Sequence, residues 1–259
     1  MIPIKTEQDI ASMRQSCLAA TEIMQELVSM IAPGRTTKEL DDAATRMITE
    51  RGGKSPFYRY KGSYPGHICV SINEEVVHGI PSARRIQYGD IVSLDVGIIL
   101  NGWVGDTATT VPVGLVDPRV QELLTVSERA LYVAIDKARS GNRISDISRA
   151  VESLVTSHGF SVVREFVGHG VGRKLHEEPQ VPNYVAPGPD PKLRPGMTIA
   201  IEPMTCLGNF EVIMLDDGWT VVTRDRKPAA HFEHTVLIKK DGPEILTCPK
   251  KSQFESKVR

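Results

Sequence analysis

The chain has 259 residues, 41% of them hydrophobic and 24% charged, which is enough to bury a sizeable core in a globular protein. A formal net charge of −1 and a pI near 6.7 exclude a global basic footprint for nucleic acid or for an anionic membrane surface. The four cysteines, Cys17, Cys69, Cys206 and Cys248, make no C-x-x-C pair, Met1 leads into no signal-like segment, and no run nears the ~18 apolar residues of a membrane span. A reduced, cytoplasmic setting is expected, without a disulfide scaffold, a zinc finger or a membrane anchor.

The first element is an amphipathic helix that starts after Thr6, carries Ile10, Met13, Cys17, Ile23, Met24, Leu27 and Ile31 at helical spacing, and stops at Pro33-Gly34. A second helix opens at the capping box Thr36-x-x-Glu39 and ends at Gly52-Gly53. Strands follow at about 68–72 and 90–100. A third helix takes Asp117 as N-cap and Pro118 as its first residue, with Gly141 beyond its end, and a fourth runs from Ser145 to His158. Strands resume at Thr198 to Pro203, in a hairpin turned at Asp217-Gly218, and from Phe232 to Ile238.

The halves of the chain align at a constant shift of 107 positions: Gly34 with Gly141, Leu40 with Ile147, Gly52 with Gly159, Gly89 with Gly196. Under this shift Asp95 falls on Glu202, each at the end of an apolar strand. The pattern implies an internal repeat, roughly 30–110 and 137–240, within one unit spanning 1–249, and a polar tail at 250–259. The fold class expected is α+β, two pseudo-symmetric halves with helices on the outer face of a mostly antiparallel sheet.

Asn101-Gly102 is a strong two-residue hairpin signal and pairs Leu100 with Trp103. That register sets Asp95 opposite Ala108 and Asp106 opposite Gly97, so both aspartates share one face as diagonal neighbours about 7–8 Å apart. Two carboxylates on an otherwise apolar hairpin repel and are poorly solvated unless a cation joins them. A solvated face with incidental aspartates is the competing reading of the hairpin taken alone. Glu202, before Pro203, and Glu233, in the strand His231-Phe-Glu-His-Thr-Val-Leu-Ile on the face of Ala229, Thr235 and Leu237, weaken it. His169, between Gly168 and Gly170, has small neighbours that let an imidazole reach a crowded site. Four carboxylates and one imidazole suit Mn²⁺, Fe²⁺, Co²⁺ or Zn²⁺ and are too oxygen-rich for a structural zinc site.

The stretches Asn73-Glu-Glu-Val-Val-His78-Gly-Ile-Pro, Asp95-Val-Gly, Gly105-Asp106-Thr-Ala, Gly168-His169-Gly-Val-Gly, His176-Glu-Glu-Pro-Gln-Val, Ile201-Glu202-Pro-Met and Phe232-Glu233-His-Thr together resemble the type I methionine aminopeptidases of the pita-bread fold, in their compact bacterial form. The resemblance implies two divalent ions. Asp95 would chelate one, Asp106 and Glu233 would bridge both, and His169 with Glu202 would complete the other, the ions lying about 3.5–4 Å apart as in other two-metal hydrolases. It also implies that Glu202 shuttles a proton, and that His78 and His176 contact the substrate peptide and stabilise the tetrahedral intermediate. The substrate would be the N-terminal methionine of peptides and polypeptides with a small second residue. Cys69, Tyr60, Tyr64 and Trp219 are the candidate walls of the methionine pocket, with core packing as the alternative for each. The partners expected are such polypeptides, with a transient ribosome association allowed, and the chain is expected to be a monomer.

Two features depart from the family pattern: Leu175 stands where many members have Phe, and the loop around Ser63 is a residue longer. Both bear on pocket shape. A prolidase or aminopeptidase P shares the ligand pattern but normally carries a separate N-terminal domain, and a non-catalytic binding member of the fold usually lacks ligands that are all filled here.

Overall fold

In the computed structural model, residues 1–248 are described; the expected boundary at 249 and the polar tail at 250–259 lie outside them. Two helices come first, α1 (Glu7–Met30) and α2 (Thr37–Glu50). Each opens on a reciprocal capping box, Thr6 with Asp9 and Thr36 with Glu39, which satisfies two otherwise orphaned backbone N–H groups. Strands β1 (Cys69–Ile72), β2 (Glu75–Val77), β3 (Ile91–Leu100) and β4 (Trp103–Pro112) follow. Helices α3 (Pro118–Lys137) and α4 (Ile144–Ser157) come next, then short strands: β5 (Ser161–Val162), β6 (Gly168–Gly170), β7 (Glu177–Val181), β8 (Thr198–Ile201), β9 (Met204–Cys206), β10 (Val212–Met214), β11 (Val221–Thr223), β12 (Ala229–His231), β13 (Glu233–Ile238) and β14 (Pro243–Ile245).

The main sheet has eight strands in the order β1-β3-β4-β13-β8-β6-β7, with β14 beside β13, and its pairings are antiparallel. It is the curled sheet of an α+β, pita-bread architecture. Alternation along each strand separates its two faces. Val92, Leu94, Val96 and Ile98 of β3 pack with Ile23, Leu27 and Leu40 of α1 and α2. Ile199, Ile201, Val236 and Ile238 pack with Leu123, Leu131, Ile147 and Val151 of α3 and α4. The four helices therefore cover one face and leave the other to form a concavity. Gly105 allows α1 to lie directly on β4, since a Cβ there would sit 2.4 Å from the Ser16 carbonyl carbon and oxygen.

Backbone hydrogen bonds recur at the shift of 107 positions. Gly34 N–H donates to Ile86 O and Gly141 N–H to Leu193 O; Ile86 N–H donates to Arg35 O and Leu193 N–H to Asn142 O. The isolated bridges Thr36–Arg85 and Arg143–Lys192 repeat in the same way.

The third helix ends at Lys137, with Gly141 beyond its end as expected. Three expectations are corrected. The fourth helix starts a residue earlier than Ser145, with Asp146 accepting from the Arg143 N–H. The strand expected from Thr198 to Pro203 stops at Ile201, and Met204–Cys206 joins a separate three-stranded sheet with β5 and β12. Finally, the strand expected through His231 and Glu233 is broken at Phe232: Ala229–His231 pairs with β9, whereas Glu233–Ile238 pairs with β4 and β8. Ala229 therefore does not share a strand face with Glu233.

Candidate metal centre and active site

Register alone brings the ligand-type residues together. Asn101 and Gly102 adopt φ of 52° and 75°, the left-handed pair of a type I′ turn, and pair Leu100 with Trp103. Asp95 then faces Ala108 and Asp106 faces Gly97. Glu233 on β13 also faces Ala108, and His169 on β6 faces Ala200, which faces Thr235 of β13. Glu202 follows β8 by one residue, and Ile201 pairs with His234, so the next step of that ladder brings Glu202 toward Glu233. Directly opposed residues share a face, so five neighbouring strands each deliver one of the five side chains to the concavity.

The site is buried and crowded with acid. Asp106 is 3% exposed, Glu233 2%, His169 7% and Glu202 9%. Asp95 is less covered as a residue, yet its Oδ1 is wholly enclosed. His169 Nε2 lies 3.3 Å from Glu202 Oε1 and 3.9 Å from Asp106 Oδ2. Ligand atoms of Asp106, His169 and Glu233 come within 4.8 Å of one another, the spread of a metal-binding group. Burial pushes the Asp95 carboxyl up to about 7, with Glu202 adding to the rise and His231 opposing it, and pushes Glu202 up to about 8. Burial and then neighbouring carboxylates hold Asp106 and Glu233 well above the ordinary range. Burial, then His176, pushes His169 down to about 3, so its imidazole is neutral and can donate a lone pair.

Asp95 Oδ1, Asp106 Oδ1, Glu233 Oε1 and His231 Nε2 are buried without a hydrogen-bond partner. A buried polar atom left so costs about 1–3 kcal/mol, and three orphaned carboxylate oxygens in one cluster are suited to binding a cation. The oxygen-rich set with one or more imidazoles matches a first-row divalent ion.

The cluster lines a cavity of about 990 Å³, and all eleven residues singled out from the sequence line it: Tyr60, Tyr64, Cys69, His78, Asp95, Asp106, His169, His176, Glu202, Trp219 and Glu233. Cys69 pairs with Asp95 across β1 and β3, so its thiol lies on the carboxylate's side; burial, then Asp95, holds that thiol well above its ordinary pKa and therefore neutral. Trp219 is the centre of an aromatic cage, edge-on to Tyr64 at 5.2 Å, His78 at 6.3 Å and Tyr60 at 6.4 Å. Phe57 and Leu175 complete this apolar end. The Tyr64 hydroxyl is bound to Ile68 O and Gly79 O, so Tyr64 offers the cavity only its ring.

His176 stands at the cavity mouth, its Nδ1 2.7 Å from the Tyr60 hydroxyl and its ring edge-on to His169 at 4.2 Å. His78 holds a left-handed backbone, φ 60°, in which a non-glycine residue is strained. Burial, then His231 and His176, pushes its imidazole down to about 4. Ser63 follows a turn where Arg59 and Lys61 take φ of 59° and 46°, with Lys61 at the cavity rim.

His231, 2% exposed, was passed over in the sequence. Its Nε2 lies 3.4 Å from Glu202 Oε2, too poorly aligned for a hydrogen bond, so Glu202 is flanked by an imidazole at each oxygen. The only signal was a histidine two residues before Glu233.

A model of metallopeptidase family M24 matches residues 11–240. Methionine aminopeptidase 1 of Bacillus subtilis is 48% identical over 247 residues, covering 95% of this chain and 99% of that protein. The crystal structure of a methionine aminopeptidase from Rickettsia prowazekii superposes with a TM-score of 0.93 at 40% identity, over 96% of this chain and all of that one. A prolidase from Pyrococcus horikoshii shares the fold, with a TM-score of 0.75 at 22% identity, this chain covering 64% of it.

Proposed function

Since the chain belongs to metallopeptidase family M24, we infer that it is a methionine aminopeptidase, a metal-dependent hydrolase that removes the initiator methionine from polypeptides whose second residue is small. The observation that carries this reading is the cluster of orphaned carboxylate oxygens lying beside an apolar, aromatic-walled pocket in one cavity. Family relatives of this name match over nearly the whole chain, while the prolidase likeness extends to the fold alone.

Asp95 would hold one divalent ion, Asp106 and Glu233 would bridge two, and His169 with Glu202 would hold the second. Cobalt, manganese, iron and zinc all suit this donor set. When bound, such ions lower the pKa of water and polarise the scissile carbonyl. The chain's own groups do the rest. Cys69, Tyr60, Tyr64 and Trp219 take the methionine side chain, with Phe57 and Leu175 behind them. The substrate's free α-amine would bind at the ions, which restricts cleavage to a chain end. Glu202 takes the proton of the attacking water and passes it to the leaving amine, a role that needs a carboxylate beside that water. His78 and His176 donate N–H groups to the carbonyl oxygen as it gains charge; His78, held neutral by burial, does so without repelling the ions.

The recurrence at 107 positions is read as duplication within one catalytic unit spanning 1–249. A cytoplasmic monomer that meets its substrates at the ribosome is the proposed setting. No helix among the described residues is long and apolar enough to cross a membrane.

The test is hydrolysis of Met-Ala-Ser, Met-Leu-Ser and Ala-Pro-Ser with metal-stripped and reconstituted protein. Activity is expected on the first alone, absent in chelator and restored by Co²⁺ or Mn²⁺. Full activity with negligible bound metal would refute the mechanism, and a preference for Ala-Pro would favour a prolidase.

A further inference from the structure

A buried ion pair ties the segment before α1 to the catalytic cavity, and nothing in the chemistry above uses it. Lys5 Nζ lies 2.6 Å from Glu177 Oε2, with side chains 4% and 8% exposed. The other oxygen of the same carboxylate accepts the backbone N–H groups of Arg173 at 2.8 Å and Lys174 at 3.2 Å. Glu177 thus closes the turn that runs from Gly172 to His176 and fixes the residue next to that imidazole. Lys5 is itself anchored, its backbone N–H donating to Gly196 O at 2.8 Å. Gly172 makes room for the pair: a Cβ there would lie 2.7 Å from Lys5 Cε and 2.8 Å from Glu177 Oε1.

We propose that Lys5 is a positioning residue for His176, acting through Glu177 to hold the 172–177 turn so that the imidazole meets the substrate carbonyl. A buried carboxylate stripped of its cation retains a large desolvation cost and relaxes by pulling its surroundings toward water. The surroundings here are the N–H groups of Arg173 and Lys174, so the relaxation reaches His176 directly. Displacement of a catalytic group by about 1 Å can cost on the order of 100-fold in rate. The proposal rests on the reading of His176 as a substrate-facing group.

Lys5→Met is compared with wild type for kcat and KM on Met-Ala-Ser, bound metal and thermal unfolding, and again in a His176→Ala background. The expected result is a kcat loss of about tenfold or more, with KM and metal content unchanged, shrinking to less than about twofold when His176 is already absent. Adding Glu177→Gln to Lys5→Met should recover part of the loss, because the amide carbonyl still accepts the two N–H groups and no charge is stranded. This uncharged double variant also serves if Lys5→Met fails to fold. Equal losses in both backgrounds, or a lowered unfolding temperature with wild-type kcat, would overturn the proposal and leave the pair as a strut for the chain terminus. If His176→Ala itself keeps full kcat, the role of His176 fails first and the proposal with it.

Discussion

Asp95→Asn isolates the electrostatic cost of the site in the metal-free protein. Burial, with Glu202 adding to it, raises the Asp95 carboxyl from 3.8 to about 7. Between about pH 4 and pH 7 the folded chain therefore binds more protons here than the unfolded chain does, so this group's contribution is fully present below pH 4 and is lost as pH climbs through about 7. At 1.36 kcal/mol per unit the loss is about 4 kcal/mol, a ceiling because the neighbouring acids share protons. In a chain of this size that amounts to roughly 10 °C in unfolding temperature. Asparagine carries no charge at any of these pH values. In chelator the variant should match or trail wild type near pH 4.5 and overtake it near pH 8. A saturating divalent ion should close most of that gap at pH 8, since an ion held at 100 times its Kd stabilises by about 2.7 kcal/mol and Asp95 is one of its proposed ligands. The assay is thermal unfolding followed by circular dichroism, with and without ion at each pH. A gap between the proteins that does not change with pH would refute the reasoning.

His169→Ala should shed bound metal, while His176→Ala should keep it and lose about 10²–10³ in kcat, read by elemental analysis beside steady-state kinetics; equal metal loss in both would erase the distinction between them. Met-Ala peptides should exceed Met-Leu and Met-Lys peptides in kcat/KM, because His78, His176 and Phe166 line the same cavity and, with the two histidines in their proposed roles, would leave little room for a large second residue; comparable values would contradict it. His231→Leu should lower kcat by about tenfold by removing the polar ring that lies 3.4 Å from Glu202 Oε2, and His231→Gln, which places a polar amide there, should recover most of that loss. Identical kinetics for Leu and Gln would show that the imidazole does not orient Glu202.

The parts of the site legible in the sequence were those set by local rules. Asn101-Gly102 dictates the turn, the turn dictates the register, and the register places Asp95 and Asp106 on one face, as the Asp95–Ala108 and Gly97–Asp106 pairs show. Thr36-x-x-Glu39 fixed the start of α2 for a similar reason, two side chains answering two backbone groups. What escaped was decided at long range. The chain changes sheets at Phe232, and only the competing partners β9 and β4 determine that it does, so the setting of His231 was invisible. The Lys5–Glu177 pair joins residues 172 positions apart with no periodic pattern to signal it.

Because the β3–β4 hairpin lies beside β13, β8 and β6 in the sheet but far from them in the chain, ion capture becomes a late event in folding. The Asp95–Asp106 hairpin can close alone within microseconds, yet it offers only two of the five side chains. The others arrive when strands from beyond residue 160 dock against it, the slow, non-local step of such a topology. A half-made chain therefore has little with which to hold an ion tightly, and uptake of the ion reports that both halves have come together.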